Sequence, residues 1–143
     1  MSKNGNYLAA LREVTKRAKF NSWLGLEIVS ASEGAVELHL AWREEFGQYA
    51  GYLHAGIIAA LLDTACGFAA YSLSGEILAS QLSVKFLRPA TAKTFLVRGR
   101  VIKPGKQQVF AAAELASLDA PDRLLAIGDT LLVPIGDRPS DLK

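Results

Sequence analysis

Apolar and polar residues alternate over several stretches of this chain, which is the pattern of a β-strand with one buried face. Between residues 24 and 42, two such runs flank a turn at Ser32-Glu33-Gly34. The apolar positions of this predicted strand pair are Leu24, Leu26 and Ile28, then Val36, Leu38, Leu40 and Trp42. Four further strand-like runs follow residue 76, namely ILASQLSVKFLRPA, TFLVRGRVIKPGK, QQVFAAAELASLD and RLLAIGDTLLVPI. Turn residues separate the later runs at Lys103-Pro104-Gly105 and Asp119-Ala120-Pro121-Asp122.

Two other stretches have helical character. Residues Tyr7 to Phe20 alternate apolar and charged positions with the period of an amphipathic surface helix. From Ile57 to Gly75 the chain is rich in Ala, Leu and Ile without proline, and apolar residues fall on every side, which predicts a helix that is buried all round. We therefore expect one α+β domain over residues 1–143, with an N-terminal helix within 1–20, a polar tail at 136–143, and an antiparallel β-sheet wrapped around one long buried central helix. The sheet would consist of a strand pair and a four-strand meander.

The composition narrows the function classes. Half of the 143 residues are apolar and 21% are charged, which is typical of a soluble globular domain. A formal charge of +2 does not indicate nucleic-acid binding by itself. The single cysteine, Cys66, cannot form an internal disulfide, and residues 1–20 lack the pattern of a secretion signal, so we expect a cytoplasmic protein. The central helix is nearly long enough to cross a bilayer, but His54, Asp63 and Thr64 favour a buried helix over a membrane span.

The start of the central helix has the features of an anion or carbonyl site. His54, Ala55 and Gly56 follow a run that contains Gly47 and Gly51. The first turn of a helix presents backbone N–H groups without partners inside the helix, and small residues let another molecule approach them. The helix dipole adds to the attraction of a negative or polarised oxygen.

Asp63 is the one formally charged residue between Glu45 and Glu76. A carboxylate inside such a helix loses hydration, which costs free energy unless the group is paired or hydrogen-bonded. Asp63 therefore either has a structural partner, such as a backbone group or an arginine, or serves as the carboxylate of an acyl-transfer site. Ala55 and Asp63 are eight residues apart, roughly 12 Å along a helix, so both cannot reach one carbonyl within one chain. A two-fold dimer, with the helix tip of one subunit facing the partner's Asp63, is the simplest arrangement that joins them.

Other common catalytic signatures are absent from the sequence. It contains no G-x-S-x-G or H-E-x-x-H motif, and two histidines on separate elements do not make a metal site, so we expect no metal. The segment GRVIKPGK has the wrong spacing for a phosphate loop. We interpret Cys66 as a buried structural residue and His39 as a surface residue.

The order of loop, His, small residue, Gly, apolar run and Asp, followed by the strand SVKFLRPA, resembles the hotdog-fold acyl-CoA thioesterases of the phenylacetate-degradation type. The motif of that family is Asn or Gln, then His-Gly-Gly, then Asp or Glu on the central helix. Gln48 stands seven residues before Ala55, His54-Ala55-Gly56 stands at His-Gly-Gly, and Asp63 stands at the acidic position. The resemblance covers roughly residues 20 to 135 and implies the hotdog fold.

This resemblance also implies roles for the matching residues. The Ala55 N–H would polarise the thioester carbonyl, while Gln48 and His54 would order the loop and assist at the oxyanion or the water, with Gly56 completing the motif. The partner's Asp63 would act as general base or as nucleophile. No cofactor is expected, because coenzyme A is part of the substrate. Dimers of the family commonly pair again into tetramers, so we expect a homodimer or a dimer of dimers.

Two positions depart from the family pattern. Ala55 replaces the first glycine of the pair, which keeps the N–H but adds a methyl group that narrows the approach or shifts the loop. The family often carries Ser or Thr near the start of the strand after the helix, and either Ser80 or Ala79 occupies that place here.

Coenzyme A carries phosphates, so basic residues are expected around the mouth of the site. The candidates are Arg88, Arg98, Lys103 and Lys106, although a single basic residue is more often a solvated surface charge. The acyl group is not determined by the sequence, because aromatic residues near a buried helix line either an aryl pocket or the core. These aromatic residues are Phe46, Tyr49, Tyr52, Phe68 and Tyr71.

Two other functions remain open at this point. A hotdog hydratase or dehydratase uses a histidine and a carboxylate together, and His54 with the partner's Asp63 would resemble that pair. A non-catalytic acyl-CoA-binding module is the other alternative, since Ala55 stands at the donor position. The product separates the enzymes, because a thioesterase releases a free thiol and a hydratase changes the absorbance of an enoyl group.

Overall fold

The computed structural model describes residues 3–136 of the chain. Its helices are α1 (Lys3–Lys16), α2 (Lys19–Leu24) and α3 (Ala55–Ser74), with a short 3-10 turn at Glu44–Phe46. Its strands are β1 (Glu27–Ser32), β2 (Ala35–Ala41), β3 (Ile77–Phe86), β4 (Thr94–Lys103), β5 (Val109–Ser117) and β6 (Ala120–Pro134). The six strands form one antiparallel sheet in the order β1-β2-β4-β5-β6-β3, and α3 packs against all six. This confirms the predicted α+β architecture of a sheet around one long central helix.

The central helix α3 is buried on the side that faces the sheet. Leu61, Leu62, Ala65 and Ala69 are fully buried there. Although α3 is long and apolar enough to span a membrane by length and composition, within the chain these side chains form the core. The prediction that the helix is buried all round is wrong for the single chain. Half-exposed residues follow one another at every turn along its other side, namely Ala60, Asp63, Thr64, Gly67 and Tyr71, because one curved sheet covers only the side of the helix that it faces.

The N-terminal segment is more helical than the sequence pattern suggests. Two helices, α1 and α2, replace the single helix predicted over Tyr7–Phe20, and the first strand begins at Glu27 rather than at Leu24. Leu24 is the buried last residue of α2, and Gly25 ends that helix in the left-handed conformation with φ 72°. Leu24 and Ile28 are both buried, so a spacing of four was mistaken for alternation in a strand.

The last four strands do not form a simple meander. Strand β3 pairs with β6, with Val84 opposite Gly128, whereas β4 pairs with β2 and β5. This places β3 at the edge of the sheet farthest from β1. Alternation within a strand predicts which residues share a face, but it carries no information about which strands are neighbours.

A row of charges crosses the outer face of the sheet. Glu37, Arg98 and Glu114 are aligned on β2, β4 and β5, and Arg98 Nε lies 2.8 Å from Glu114 Oε1. His39 is on the same strand as Glu37, with its Nε2 3.4 Å from Glu37 Oε2, and its side chain is 19% exposed. His39 therefore lies on the outer face as predicted, but it is packed rather than free in solvent.

At Gly99, strand β4 lies close to the backbone of α3. A Cβ atom at this position would lie 2.4 Å from the carbonyl oxygen of Ala65 and 2.7 Å from its carbonyl carbon. Both atoms belong to helix backbone, which cannot move without shifting α3. Glycine at this position therefore sets the distance between the helix and the strand.

We expect Gly99→Ala to lower the free energy of unfolding by about 1–3 kcal/mol, because the added methyl group overpacks the helix–sheet contact. The matched control is Gly67→Ala in α3, where a Cβ would meet nothing nearer than Ile77 Cδ1, at 3.4 Å. That substitution should be neutral or stabilising by up to about 1 kcal/mol, since alanine favours the helix. Urea unfolding of both variants measures the difference, and equal stability of Gly99→Ala and wild type would contradict the contact.

Candidate functional site

The N-terminus of α3 leaves one backbone donor without a partner. His54 is the N-cap residue, and its Nδ1 accepts the Gly56 N–H at 2.8 Å. The His54 carbonyl accepts the N–H groups of Ile57 and Ile58. Within residues 3–136 the exposed Ala55 N–H meets no acceptor. The positive end of the helix dipole therefore presents the Ala55 N–H to solvent, at the position predicted from the sequence.

The loop before α3 is held by hydrogen bonds centred on Gln48. Its side-chain Oε1 accepts the N–H groups of Ala50 and Tyr52, and its backbone N–H donates to the Tyr52 carbonyl at 2.8 Å. Gly51 takes φ 85°, and its N–H donates to the Gln48 carbonyl. The His54 N–H donates to the Phe46 carbonyl at 2.8 Å, which closes the loop below the helix. Because the side-chain oxygen of Gln48 accepts hydrogen bonds within the loop, the amide nitrogen is the donor of this side chain that is left for a ligand.

A cavity of about 490 Å³ opens at this helix tip, and we call it the tip cavity. Its walls are the loop before α3, the first turn of α3 and the end of β3 with the segment that follows. The lining residues are Gln48, Tyr49, Tyr52, Leu53, His54, Ala55, Ile58, Phe86, Leu87, Arg88, Pro89 and Ala90. Three of the predicted catalytic residues, Gln48, His54 and Ala55, therefore share one cavity. Gly56 lies beside it and donates to His54.

Asp63 lies two turns farther along α3 and is half-buried. Burial raises the pKa of the Asp63 carboxyl above its ordinary value, because desolvation penalises the charged form. No residue within 3–136 forms a hydrogen bond or an ion pair with this carboxylate. In the described part of the chain, the structural alternative for Asp63, a backbone cap or an arginine pair, is therefore not found.

Asp63 lines a second cavity of about 380 Å³, which we call the Asp63 groove. One wall comes from α1 and α2, the floor from α3, and the other wall from the start of β3. The lining residues are Val14, Arg17, Asn21, Asp63, Thr64, Gly67, Phe68, Tyr71, Glu76, Ile77, Leu78, Ala79 and Ile135. Ala79 lines this groove, whereas Ser80 lies at the irregularity in the β3–β6 register between Ala79 and Gln81. In the single chain Ser80 is thus not a wall residue, and Ala79 is.

The tip cavity and the Asp63 groove share no lining residue. Ala55 and Asp63 belong to the same straight helix, so roughly 12 Å of helical rise separates them. Strand β3 connects the two cavities, because Leu78 and Ala79 near its start line the groove and Phe86 at its end lines the tip cavity. The single chain therefore carries both halves of the predicted site without joining them.

The four basic residues predicted to contact coenzyme A occupy different places. Arg88 lines the tip cavity, and its guanidinium donates to the Leu124 carbonyl. Arg98 lies on the outer face with Glu114. Lys103 and Lys106 are exposed at the β4–β5 connection. This region lies near the C-terminal end of α3, since the Val101 N–H donates to the Gly34 carbonyl and Gly34 lies beside Leu73. Within one chain, only Arg88 of these four lies with Gln48, His54 and Ala55.

The aromatic candidates divide between core and cavities. Phe46 is fully buried and packs edge-on against Trp23 at a centroid distance of 5.3 Å. Tyr49 and Tyr52 line the tip cavity, whereas Phe68 and Tyr71 line the Asp63 groove.

Several cavity residues were not identified from the sequence. Arg17 directly follows α1 and Asn21 belongs to α2, in a segment that the sequence predicted to be solvated surface, yet both line a wall of the Asp63 groove. Leu87 and Pro89 belong to the segment after β3 that closes the tip cavity. No local pattern marks these residues, because the fold alone brings them to the cavities.

Cys66 is fully buried one turn after Asp63, as predicted for a structural cysteine. Burial raises the pKa of its thiol to about 11, so the thiol is protonated near neutral pH. Within residues 3–136, no cluster of three or more His, Cys, Asp or Glu side chains is arranged to hold a metal ion.

Comparison with known proteins agrees with this architecture. The family model described as the Thioesterase superfamily matches residues 50–121. The crystal structure of a thioesterase family protein from Silicibacter pomeroyi is 34% identical, covers 91% of this chain and 99% of its own, and superimposes with a TM-score of 0.85.

Two more distant structures share the fold. The E. coli PaaI protein from the phenylacetic acid degradation operon is 22% identical, covers 96% of this chain and 99% of its own, and has a TM-score of 0.87. A protein of Streptococcus mutans UA159, solved with bound acetyl CoA, is 21% identical, covers 80% of this chain and 91% of its own, and has a TM-score of 0.74. With its six-stranded antiparallel sheet, its central helix and these matches, the chain belongs to the Thioesterase superfamily, has the hotdog fold, and is a thioester hydrolase in the general sense of that family.

Proposed function

We propose that this protein is an acyl-CoA thioesterase whose site combines the helix tip of one subunit with the partner's Asp63. The observation that carries the proposal is that one helix holds two unpartnered groups of complementary chemistry. The Ala55 N–H is a donor for a developing oxyanion, and Asp63 is a carboxylate with a raised pKa, each in its own cavity.

The edge strand β3 supports a two-fold dimer that would join these cavities. One edge of β3 has no neighbouring strand, and the strand exposes apolar side chains, with Leu78 59% and Phe86 54% exposed. An uncovered apolar edge strand favours pairing with a second strand. Antiparallel pairing of β3 with the same strand of a second copy would set the Phe86 end of one strand against the partner's Leu78 end. The tip cavity of one subunit would then lie beside the Asp63 groove of the other.

The proposed reaction uses the two groups in sequence. The Ala55 N–H would bind the thioester oxygen, with the Gln48 amide and His54 beside it. As general base, Asp63 would take a proton from water while the water oxygen attacks the carbonyl carbon. The C–S bond then breaks as the oxyanion collapses, and the thiolate of CoA leaves and is protonated. As nucleophile, Asp63 would instead form an acyl anhydride that water hydrolyses. Either course needs no cofactor, because the thioester carbon is already electrophilic.

Coenzyme A is proposed as the thiol half of the substrate. The Streptococcus mutans protein of the same fold was solved with acetyl CoA. In this chain the tip cavity has a volume of about 490 Å³, and Arg88 stands in its wall as a proposed partner for phosphate.

We expect Asp63→Asn to reduce the release of free thiol from acyl-CoA esters by about 10²–10⁴-fold, because the amide can neither accept the proton nor attack. The assay follows thiol release with a thiol-reactive dye across short-chain, medium-chain, long-chain and aryl CoA esters. Asp129→Asn, an exposed position on the outer face of the sheet, makes the same chemical change outside both cavities and should retain activity.

Equal turnover by Asp63→Asn and wild type would contradict the role of Asp63. Loss or gain of enoyl absorbance without thiol release would favour a hydratase. Saturable binding of esters without turnover by wild type would favour a binding module.

We also expect Asp63→Asn to raise Tm at neutral pH. Because the pKa of Asp63 is raised by burial, the folded state holds this proton more tightly than the unfolded chain. The wild type therefore loses stability as the pH rises from the unfolded-state pKa through the folded-state pKa, and the asparagine variant does not. Melting curves of both proteins between about pH 3 and pH 8 should diverge with rising pH. A lower Tm for the variant at neutral pH would indicate that the carboxylate has a stabilising partner.

A mixing experiment tests whether two subunits share the site. Ala55→Pro removes the N–H, and proline is tolerated at the first residue of a helix. His54 already has the extended backbone, with φ −62° and ψ 136°, that a residue before proline requires. We expect Ala55→Pro alone to lower kcat by about 10²–10³-fold. The control Ala55→Gly keeps the N–H and should remain active.

Co-folding Ala55→Pro with Asp63→Asn should restore activity if the site is shared. Random pairing of equal amounts makes half of the dimers mixed, and each mixed dimer has one intact site of two, so about one quarter of the wild-type activity is expected. No recovery in a mixture that contains mixed dimers would contradict the shared site.

A further inference from the structure

The Asp63 groove runs lengthwise along α3 rather than into the core. Asp63, Gly67 and Tyr71 follow one another at one-turn intervals along its floor. This stretch of the floor is roughly 12 Å long, since eight residues of helix separate its ends. The groove therefore has the shape of a channel that begins at the carboxylate.

Most of the channel wall is apolar. Phe68 and Tyr71 extend from α3, Val14 comes from α1, and Ile77 and Leu78 come from β3. Of the polar lining residues, Asp63 and Thr64 lie at the start, Arg17 and Glu76 lie just beyond the ends of α1 and α3, and Asn21 belongs to α2. An apolar passage with polar ends suits a hydrocarbon chain attached to a reacting carbonyl.

Gly67 makes the middle of the channel wide. A Cβ at this position would touch Ile77 Cδ1 at 3.4 Å and no other atom within 4 Å. The position needs no glycine for backbone reasons, because it lies inside a regular helix and has no positive φ. In the helix interior, glycine is less favourable than alanine by about 1 kcal/mol. The absence of a side chain thus costs helix stability and leaves space in the groove.

An ion pair joins two lining residues at the end of the channel that is remote from Asp63. Arg17 Nη2 lies 3.5 Å from Glu76 Oε1, which links the residue after α1 to the second residue after α3. Both side chains are more than half exposed, so the pair is at the surface and contributes little to stability. Its position across the groove end makes it a boundary for whatever occupies the channel.

We propose that the Asp63 groove binds the acyl chain of the substrate, that the chain is of medium length, and that the Arg17–Glu76 pair is its end stop. This inference rests on the proposed thioesterase function and names its substrate class. A chain of about eight to ten carbons spans the floor from the carboxylate, with roughly 1.25 Å of length per bond. A longer chain meets the ion pair, and a bulky residue at 67 blocks the passage.

The test measures binding and hydrolysis separately over one series of straight-chain acyl-CoA esters from four to sixteen carbons, with an aryl ester beside them. Binding is measured by calorimetry on Asp63→Asn, alone and combined with each groove substitution. Hydrolysis is measured on the same substitutions with Asp63 present. Affinity should rise about fourfold per methylene, as expected for burial of each CH₂, and level off at eight to ten carbons.

Three groove substitutions should move this limit in opposite directions. Gly67→Leu should shorten the preferred chain by several carbons, whereas Arg17→Ala and Glu76→Ala should each extend the rising part of the series beyond ten carbons. The matched control is Lys16→Ala. It breaks an ion pair on α1 between Lys16 Nζ and Glu13 Oε1, which lie 2.8 Å apart, and neither residue lines the groove. Lys16→Ala should leave the chain-length profile unchanged.

The outcomes separate this inference from the proposed function. If the groove substitutions shift the binding profiles but the wild type hydrolyses no ester, the groove assignment is retained and the proposed thioesterase function is refuted. Hydrolysis with a chain-length profile that neither Gly67→Leu nor Arg17→Ala changes would refute the groove assignment and retain the thioesterase. A preference for the aryl ester that Gly67→Leu does not alter, or no binding of any ester, would also overturn the assignment. Circular dichroism of Gly67→Leu, with Gly67→Ala as the small-residue reference, verifies that the variants are folded.

Discussion

The structure depends on the contact between α3 and the inner face of the sheet. Leu61, Leu62 and Ala65 bury one side of the helix, and Gly99 lets β4 approach the helix backbone where any Cβ would collide with Ala65. Close packing of this kind fixes the position of the helix relative to every strand, since α3 contacts all six. Both cavities take their positions from this contact, because α3 supplies the tip of one and the floor of the other.

The proposed function uses groups that the fold itself leaves unsatisfied. The Ala55 N–H has no acceptor within the described residues because it begins a helix, and Asp63 is desolvated by the neighbours that make α3 a core helix. Each is unfavourable or neutral for folding and useful for an acyl-transfer reaction. His54 and Gln48 are different, since both also hold the loop and the helix cap. A substitution at either of these two residues would therefore change structure and chemistry together.

The sequence predicted the parts of the fold that follow from local chemistry. The central helix, the turn around Glu33-Gly34 and the four strands after residue 76 follow from residue period and turn residues. The structure confirms these elements, with the helix beginning at Ala55 and Ser32 belonging to β1 rather than to the turn. The sequence did not predict that Leu24 ends a helix, because two buried residues four positions apart, Leu24 and Ile28, fit both the helical period and the alternation of a strand. It also did not predict the pairing of β3 with β6, since strand neighbours are chosen by long-range packing rather than by the pattern within each strand.

The sequence by itself identified Ala55 and Asp63 as the candidate groups for the chemistry. It also determined that one chain cannot bring them together, because helix geometry alone sets their separation. It also contained the family resemblance that the comparisons confirm. Only the tertiary structure decided that Arg17 and Asn21 wall the Asp63 groove, that Ala79 rather than Ser80 lines it, and that Arg88 is the basic residue at the helix tip. These residues are distant along the chain from the helix positions that they join, and no local pattern encodes a contact that arises when separate elements pack.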